Sequence, residues 1–130
     1  MATTPEGKVK AVIKAALAAR GWLFLMPATH GYGASGWADF VLCVKDHAGV
    51  GRFIAIEAKA LAPEARPLQV LSLNAVAAAG GLAVVVGSAG ARSVRPGATH
   101  DDPSLLVKTK ALTDAIFVML LEIDDYLAGN

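Results

Sequence analysis

The run Leu82–Val86 constrains the fold more than any other part of this sequence. It is apolar at all five positions, three of them valine, and it follows the pair Gly80-Gly81. A strand without polar positions is typical of a sheet that helices cover. The preceding stretch, Pro67–Ala79, opens with proline and is predicted to be a helix. A helix between two strands predicts a crossover connection, and therefore an α/β protein.

Caps, periodicity and turn residues predict the remaining elements. Thr4-Pro5-Glu6 begins a first helix with Thr4 as its N-cap, and Gly21 ends that helix. Further strands are predicted at Trp22–Met26, Ala38–Val44 and Arg52–Lys59, a last helix within Ser104–Leu127, and loops at Pro27–Gly36, Lys45–Gly51, Ala60–Arg66 and Gly87–Pro103. The predicted fold is α/β, with a mixed central sheet of about four strands flanked by helices.

The composition fits one domain over residues 1–130, with a core at about 4–90 and a C-terminal helical segment at about 104–127. At 55% hydrophobic residues the chain is not disordered. Its one cysteine, Cys43, falls in a predicted strand and is predicted to be buried in a reducing compartment. No secretory signal opens the sequence, and Ala115–Leu121 is too short to cross a membrane. We therefore expect a cytoplasmic protein without membrane contact.

The net charge of +1 conceals an uneven distribution along the chain. Residues 1–100 contain ten Lys and Arg against five Asp and Glu, whereas residues 101–130 contain two against six. A basic body with an acidic C-terminal segment can bind a polyanion on one side. Ordinary solvated surfaces explain the same counts, so the charge leaves both interpretations open.

Asp39, Glu57 and Lys59 form the one constellation with clear chemical meaning. Successive side chains alternate along a strand, so Glu57 and Lys59 share a face at a spacing of about 7 Å. A turn centred on Ala48 would place Asp39 opposite Glu57, with Cβ atoms about 5 Å apart. Two carboxylates this close repel each other unless a cation lies between them.

A hard divalent cation such as Mg²⁺ suits paired carboxylates. It would polarise a phosphate and lower the pKa of a bound water, while Lys59 orients that water and stabilises developing charge. A structural interpretation stays open, with Asp39 at a strand end and Glu57 and Lys59 in an ion pair. The charged pair interrupts an apolar strand, where charges cost stability unless they are used, and this favours the functional interpretation.

The order of these motifs resembles the PD-(D/E)xK nuclease superfamily, and more narrowly its VRR-NUC type. The matching elements span roughly residues 4–90 and are Glu6 in the first helix, Gly36-Trp37-Ala38-Asp39, Glu57-Ala58-Lys59, and Gln69 in the next helix. The family usually has proline where this chain has Ala38, a difference that affects backbone rigidity. The resemblance implies a restriction-endonuclease-like core.

The resemblance also implies roles for individual residues. The metal, Mg²⁺ or Mn²⁺, would be held by Asp39, Glu57, the carbonyl of Ala58 and, directly or through water, Glu6. The catalytic residues would be Asp39, Glu57, Lys59 and Gln69. The implied activity is hydrolysis of phosphodiester bonds in DNA, including branched DNA, in replication, repair or phage DNA processing.

Several residues near the constellation are candidates for nucleic-acid contact. Lys8, Lys10 and Lys14 flank Glu6 and are predicted to meet the phosphate backbone, and Tyr32 is predicted to stack on a base. A solvated helix face explains the lysines equally. The rival function is a non-catalytic nucleic-acid-binding or assembly module, which the low net charge favours.

The last predicted helix is apolar nearly all round, from Ile116–Leu121 to Ile123, Tyr126 and Leu127. Such a helix is predicted to be buried on more than one side. The second side would be another subunit in a homodimer, which places two active sites near one DNA. Alternatively, the helix threads the core of a monomer.

Overall fold

The computed structural model describes residues 4–27, 37–102 and 105–129. These residues contain three helices and six strands: α1 (Pro5–Arg20), β1 (Leu23–Leu25), β2 (Phe40–Lys45), β3 (Gly51–Ala58), α2 (Pro67–Ala78), β4 (Leu82–Gly87), β5 (Gly90–Val94), β6 (Leu106–Lys108) and α3 (Leu112–Leu127). None of the helices described is long and apolar enough to cross a membrane.

The strands form one sheet in the order β1-β2-β3-β4-β5-β6. The pair β3 and β4, which α2 connects, is parallel, and the other four pairs are antiparallel. The predicted α/β class with a mixed sheet flanked by helices is therefore confirmed. The expectation of about four strands was wrong, since the described residues form six.

The helices cover the two faces of the sheet unequally. On one face, α1 and α3 bury side chains such as Ile13 and Met119 against β2, β3 and β4. On the other face, α2 buries Leu73 and Ala77 against Val85 and neighbouring residues of β4 and β5. All six positions of β4 are buried, as its apolar sequence predicts.

The two additional strands are β5, which lies where the sequence predicted the loop Gly87–Pro103, and β6, which lies within Ser104–Leu127, where the sequence predicted the last helix. β5 begins with Gly90 and Ala91, residue types that are depleted in strands, yet it pairs with β4 over five residues. Gly90 lets β5 approach β6 closely, because an added Cβ would lie 2.6 Å from the carbonyl oxygen of Val107. Pairing with a buried neighbour thus outweighs local propensity.

Cys43 is exposed, so its predicted burial was wrong. α2 lies over β3, β4 and β5, and the same face of β1 and β2 is left open. Cys43, Leu23 and Phe53 align across three strands on that open face, and all three are exposed. The strand position was predicted correctly, but the extent of helix cover was not visible in the sequence.

α3 differs in part from its prediction. Its inner side is buried through Ala115, Met119 and Ile123, whereas Phe117 is 62% exposed and Leu121 is 46% exposed. The helix therefore packs on the sheet and α1 through one side and presents apolar residues to solvent on another. Burial on more than one side, as the sequence predicted, does not occur within one copy of the described residues.

Candidate active site

The candidate site lies where β2 begins and β3 ends. The two strands pair with Phe40 opposite Ile56, so the next positions along them are Asp39 and Glu57. This is the register that the sequence predicts from the turn between the strands. Asp39 Oδ2 accepts a hydrogen bond of 2.8 Å from the backbone N–H of Ala58. The Asp39 side chain therefore reaches the end of β3, and the two carboxyl groups are neighbours.

Glu57 is buried on the α2 side of the sheet, with 3% of its surface exposed. Its Oε1 atom accepts a hydrogen bond of 3.1 Å from Gln69 Nε2. Within the part of the chain that the structure describes, Oε2 has no hydrogen-bond partner, and this atom is hereafter the open oxygen. An unsatisfied buried polar group costs about 1–3 kcal/mol and more when it is charged. The open oxygen therefore needs a functional or chemical explanation.

Glu57 is also the strongly perturbed titratable group of this site. Burial, hydrogen bonding to Asp39 and repulsion from that carboxylate raise the pKa of Glu57 from 4.5 to about 9, although Lys59 acts in the opposite direction. Two carboxylates have no donor between them, so they bond only when one carries a proton. The pair thus needs either a proton or a cation.

Lys59 and Gln69 complete the constellation. Lys59 Nζ donates a hydrogen bond of 2.7 Å to Gln69 Oε1, and the backbone N–H of Arg66 donates to the same oxygen at 2.9 Å. These two donors fix the orientation of the amide, so Gln69 Nε2 faces Glu57. α2 begins with Pro67 at the position after Arg66. The start of this helix therefore holds Glu57, on β3, and Lys59, just after β3, in place.

Ala58 contributes its backbone to the site. In an extended strand the N–H and C=O of one residue point the same way. Because the N–H of Ala58 points at Asp39, its carbonyl faces that side of β3 as well. This is the orientation that a carbonyl ligand beside Asp39 requires.

Glu6 lies at the edge of the site and not at its centre. Its carboxylate contacts Lys10 Nζ at 3.5 Å, and Lys10 in turn contacts Asp39 Oδ1 at 3.2 Å. Repulsion from Glu6 makes the smallest of the contributions that raise the pKa of Glu57. Among the described residues, no group of three or more His, Cys, Asp or Glu side chains is arranged to hold a metal ion. The site thus contains two carboxylates and a carbonyl that could bind a cation, and Lys10 lies between them and the carboxylate of Glu6.

The lysines of α1 divide into two kinds. Lys8 and Lys14 are exposed, as a contact with a phosphate backbone requires. Lys10 instead contacts Glu6 and Asp39, and the contact with Asp39 was not predicted from the sequence. The spacing of four residues between Glu6 and Lys10 was its only visible signal. Tyr32 lies outside the described residues.

A hairpin beyond the site supports the loop that follows β3, and no pattern in the sequence indicated this contact. In the β4–β5 turn, the Ala89 N–H donates to Leu61 O at 2.9 Å and Ser88 Oγ donates to Ala60 O at 3.0 Å. Arg92 on β5 also donates to Pro63 O. These bonds fix the segment between Lys59 and α2.

An apolar groove of about 500 Å³ lies on the same sheet face. It is lined by Trp37, Phe53, Leu71 and residues further along α2. Trp37 is 46% exposed and lies two residues before Asp39. The groove contains none of the charged residues of the site, so it adds apolar surface and no chemistry.

Comparison of the chain with known protein families, curated proteins and solved structures finds no match.

Proposed function

We propose that this chain is a metal-dependent deoxyribonuclease of the VRR-NUC type, with Mg²⁺ or Mn²⁺ as its cofactor. The observation that carries the proposal is the open oxygen of Glu57, buried beside Asp39. Lys59, just after the end of the same strand, is held by Gln69. A purely structural ion pair does not require a carboxylate oxygen to be buried without a partner.

The donor atoms fit a hard divalent cation. Asp39 Oδ1, the open oxygen and the carbonyl of Ala58 are all oxygens, the ligand type that Mg²⁺ and Mn²⁺ prefer. Glu6 would act through water, since Lys10 lies between its carboxylate and Asp39. A bound cation would neutralise the paired carboxylates, polarise the scissile phosphate and increase the acidity of a water.

Lys59 and Gln69 would orient the reacting groups and stabilise the charge that develops during the reaction. Lys59 gives one N–H to Gln69 and keeps two for a water or a phosphate oxygen, which stabilises negative charge that develops on the phosphate. Gln69 fixes Lys59 and Glu57 relative to each other. In the hydrolysis, a water oxygen bonds to phosphorus and the bond to one sugar oxygen breaks. One water hydrogen ends on that leaving oxygen and the other stays on the phosphate.

DNA, including branched DNA, is the proposed substrate. The exposed lysines Lys8 and Lys14 on α1 support it, because α1 also carries Lys10, which contacts the site. Their contribution would be salt-sensitive and independent of base sequence. A role in replication, repair or phage DNA processing follows from the resemblance alone.

A homodimer is part of the same proposal. Phe117 and Leu121 lie one turn apart on α3 and are exposed, which supports a contact between two copies of this helix. Light scattering at micromolar concentration tests it, and a monomer would remove the dimer while leaving the nuclease proposal intact.

A non-catalytic nucleic-acid-binding module is the second candidate. The observation that favours it is the lack, among the described residues, of a cluster of three acidic, His or Cys side chains arranged around a metal. Such a module would bind DNA through α1 without cleaving it.

One assay separates the candidates. Circular, linear and branched DNA are incubated with Mg²⁺ or Mn²⁺ and wild type, Lys59→Ala or Asp39→Ala, and binding is measured in parallel. The nuclease predicts cleavage by wild type only. Cleavage by both variants would mean that the site is misassigned, and binding without cleavage in any protein would favour the module.

A further inference from the structure

Lys10 connects the acidic residues of α1 with those of the sheet. Its Nζ atom lies 3.5 Å from Glu6 Oε2 and 3.2 Å from Asp39 Oδ1. The side chain of Lys10 is 34% exposed, whereas Lys8 and Lys14 on the same helix are more fully exposed. Lys10 is therefore a component of the site and not of the outer helix surface.

The atoms of Asp39 show what this contact does. Oδ2 is bound by the backbone N–H of Ala58 at 2.8 Å, and Oδ1 is bound by Lys10. The backbone donor belongs to the end of β3 and cannot leave without disturbing the strand. Oδ1 is consequently the oxygen that an incoming cation can take, and Lys10 already occupies it.

We propose that Lys10 is the resident counter-ion of the metal-free site, and that a divalent cation binds by displacing Lys10 from Asp39. Lys10 thereby sets the metal concentration at which the site loads. This inference rests on the proposed function, because it requires that Asp39 and Glu57 hold a metal.

Charge and exposure make the displacement feasible. A partly exposed ammonium–carboxylate pair is weak and reversible, and a dication interacts about twice as strongly with each carboxylate at equal distance. Without Lys10, Glu6 and Asp39 would lose the cation that contacts them both, while Lys59 would still act on Glu57. The site would then attract a dication more strongly, at the expense of repulsion between its carboxylates when no metal is present.

The test is a calorimetric titration of Mn²⁺ into wild type, Lys10→Met and Lys14→Met in the absence of DNA. Lys14→Met is the matched control, because it removes the same charge from an exposed position of the same helix. We expect the Kd for Mn²⁺ to fall about three- to tenfold in Lys10→Met, and by less than about twofold in Lys14→Met. Lys10→Arg, which keeps the charge, should retain the wild-type Kd within about twofold.

Two further measurements keep the result decisive. Lys10→Gln repeats the titration if Lys10→Met does not fold, as judged by circular dichroism. In the wild-type protein, the ¹⁵Nζ resonance of Lys10 should shift on Mg²⁺ saturation, while that of Lys14 stays in place. An equal or higher Kd in both Lys10→Met and Lys10→Gln, or an unmoved Lys10 resonance in the loaded protein, overturns the proposal.

Failure of this inference and failure of the nuclease proposal are distinguishable. DNA cleavage with an unchanged Kd in Lys10→Met overturns the role of Lys10 alone. Tighter Mn²⁺ binding in Lys10→Met without cleavage by any of the proteins supports the role of Lys10 and removes the nuclease. No Mn²⁺ binding by any of the proteins overturns both.

Discussion

Glu57 and Arg92 are two buried ionisable residues on one face of the same sheet, separated by Val85, with which both pair. Glu57 is 3% exposed and Arg92 is 6% exposed. Their hydrogen bonding is opposite. Arg92 donates from three nitrogens, to Pro63 O at 3.4 Å, His100 O at 2.7 Å and Glu64 Oε1 at 2.6 Å. Glu57 has one partner on Oε1 and an open oxygen on Oε2.

The difference separates a charge that builds the fold from one that serves a reaction. Every nitrogen of the Arg92 guanidinium joins segments that surround the start of α2, so its charge is compensated within the protein. Glu57 lacks such compensation among the described residues, because its open oxygen is completed only by a proton shared with Asp39 or by a cation. Incomplete satisfaction at a buried carboxylate is therefore the feature that indicates function, whereas burial of charge alone is not.

Among the variants considered, Glu57→Gln is expected to have the largest effect on DNA cleavage. Glu57→Gln keeps the size of the side chain and the contact with Gln69, but removes the charge that would hold the metal. DNA cleavage with Mg²⁺ should fall at least about 10³-fold, with the fold retained. Glu64→Gln, the matched carboxylate beside Arg92, should keep cleavage within about fivefold. Initial rates on a nicked or branched substrate measure both, and equal losses would erase the distinction.

Substitution of Arg92 is expected to have the largest effect on the free energy of unfolding. Arg92→Met leaves the carbonyls of Pro63 and His100 without their donor in a buried environment, so the free energy of unfolding should fall by about 3 kcal/mol or more. Arg20→Met, which breaks an exposed ion pair with Asp124, should cost about 1 kcal/mol or less. Urea unfolding followed by circular dichroism provides the measurement. Similar losses in the two variants would argue against a structural role specific to Arg92.

The pKa of Glu57 predicts a pH dependence in the absence of metal. The folded state holds the Glu57 proton more tightly than the unfolded state, so this group stabilises the fold fully below pH 4.5. That contribution is lost as pH rises towards about 9. The free energy of unfolding of Glu57→Gln should therefore exceed that of wild type by about 1–3 kcal/mol at pH 8. At pH 4 the two free energies should differ little. Unfolding at both pH values in EDTA tests this, and parallel pH profiles would contradict it.

Substitution of Gln69 is expected to have the smallest effect, a moderate loss of DNA cleavage. Its amide orients Lys59 and Glu57 without supplying charge, so Gln69→Ala should lower cleavage about tenfold. The loss should appear mainly in kcat, because positioning affects the reacting groups more than DNA binding. Ser72→Ala, further along α2 and half-buried, serves as the control. A loss of cleavage below twofold for Gln69→Ala would show that other contacts position Lys59, and would contradict this role of Gln69.

The strand register of the site was predictable because local rules determine it. A short turn fixes which residues of β2 and β3 face each other, and alternation then places Asp39 and Glu57 together. Thr4 likewise caps α1 as predicted, accepting from the Gly7 N–H at 2.9 Å. Each of these features depends on residues that are near in sequence.

What the sequence did not show depends on contacts between distant segments. β5 and β6 form because β4 supplies a buried partner, and Cys43 is exposed because α2 ends its cover at β3. The contact of Lys10 with Asp39 joins positions that are 29 residues apart, with only the nearby Glu6 as a signal. The open oxygen of Glu57 is equally a product of packing, since no pattern of residue types reveals which carboxylate oxygen lacks a partner.

The most direct measurement is a crystal structure of the protein at saturating Mn²⁺, with anomalous scattering used to locate the ion. We expect a peak bonded to Asp39 Oδ1 and to the open oxygen of Glu57, with Lys10 Nζ withdrawn from Asp39. Crystals without a peak at this position, in which Lys10 still contacts Asp39 and Glu57 keeps its open oxygen, would contradict it.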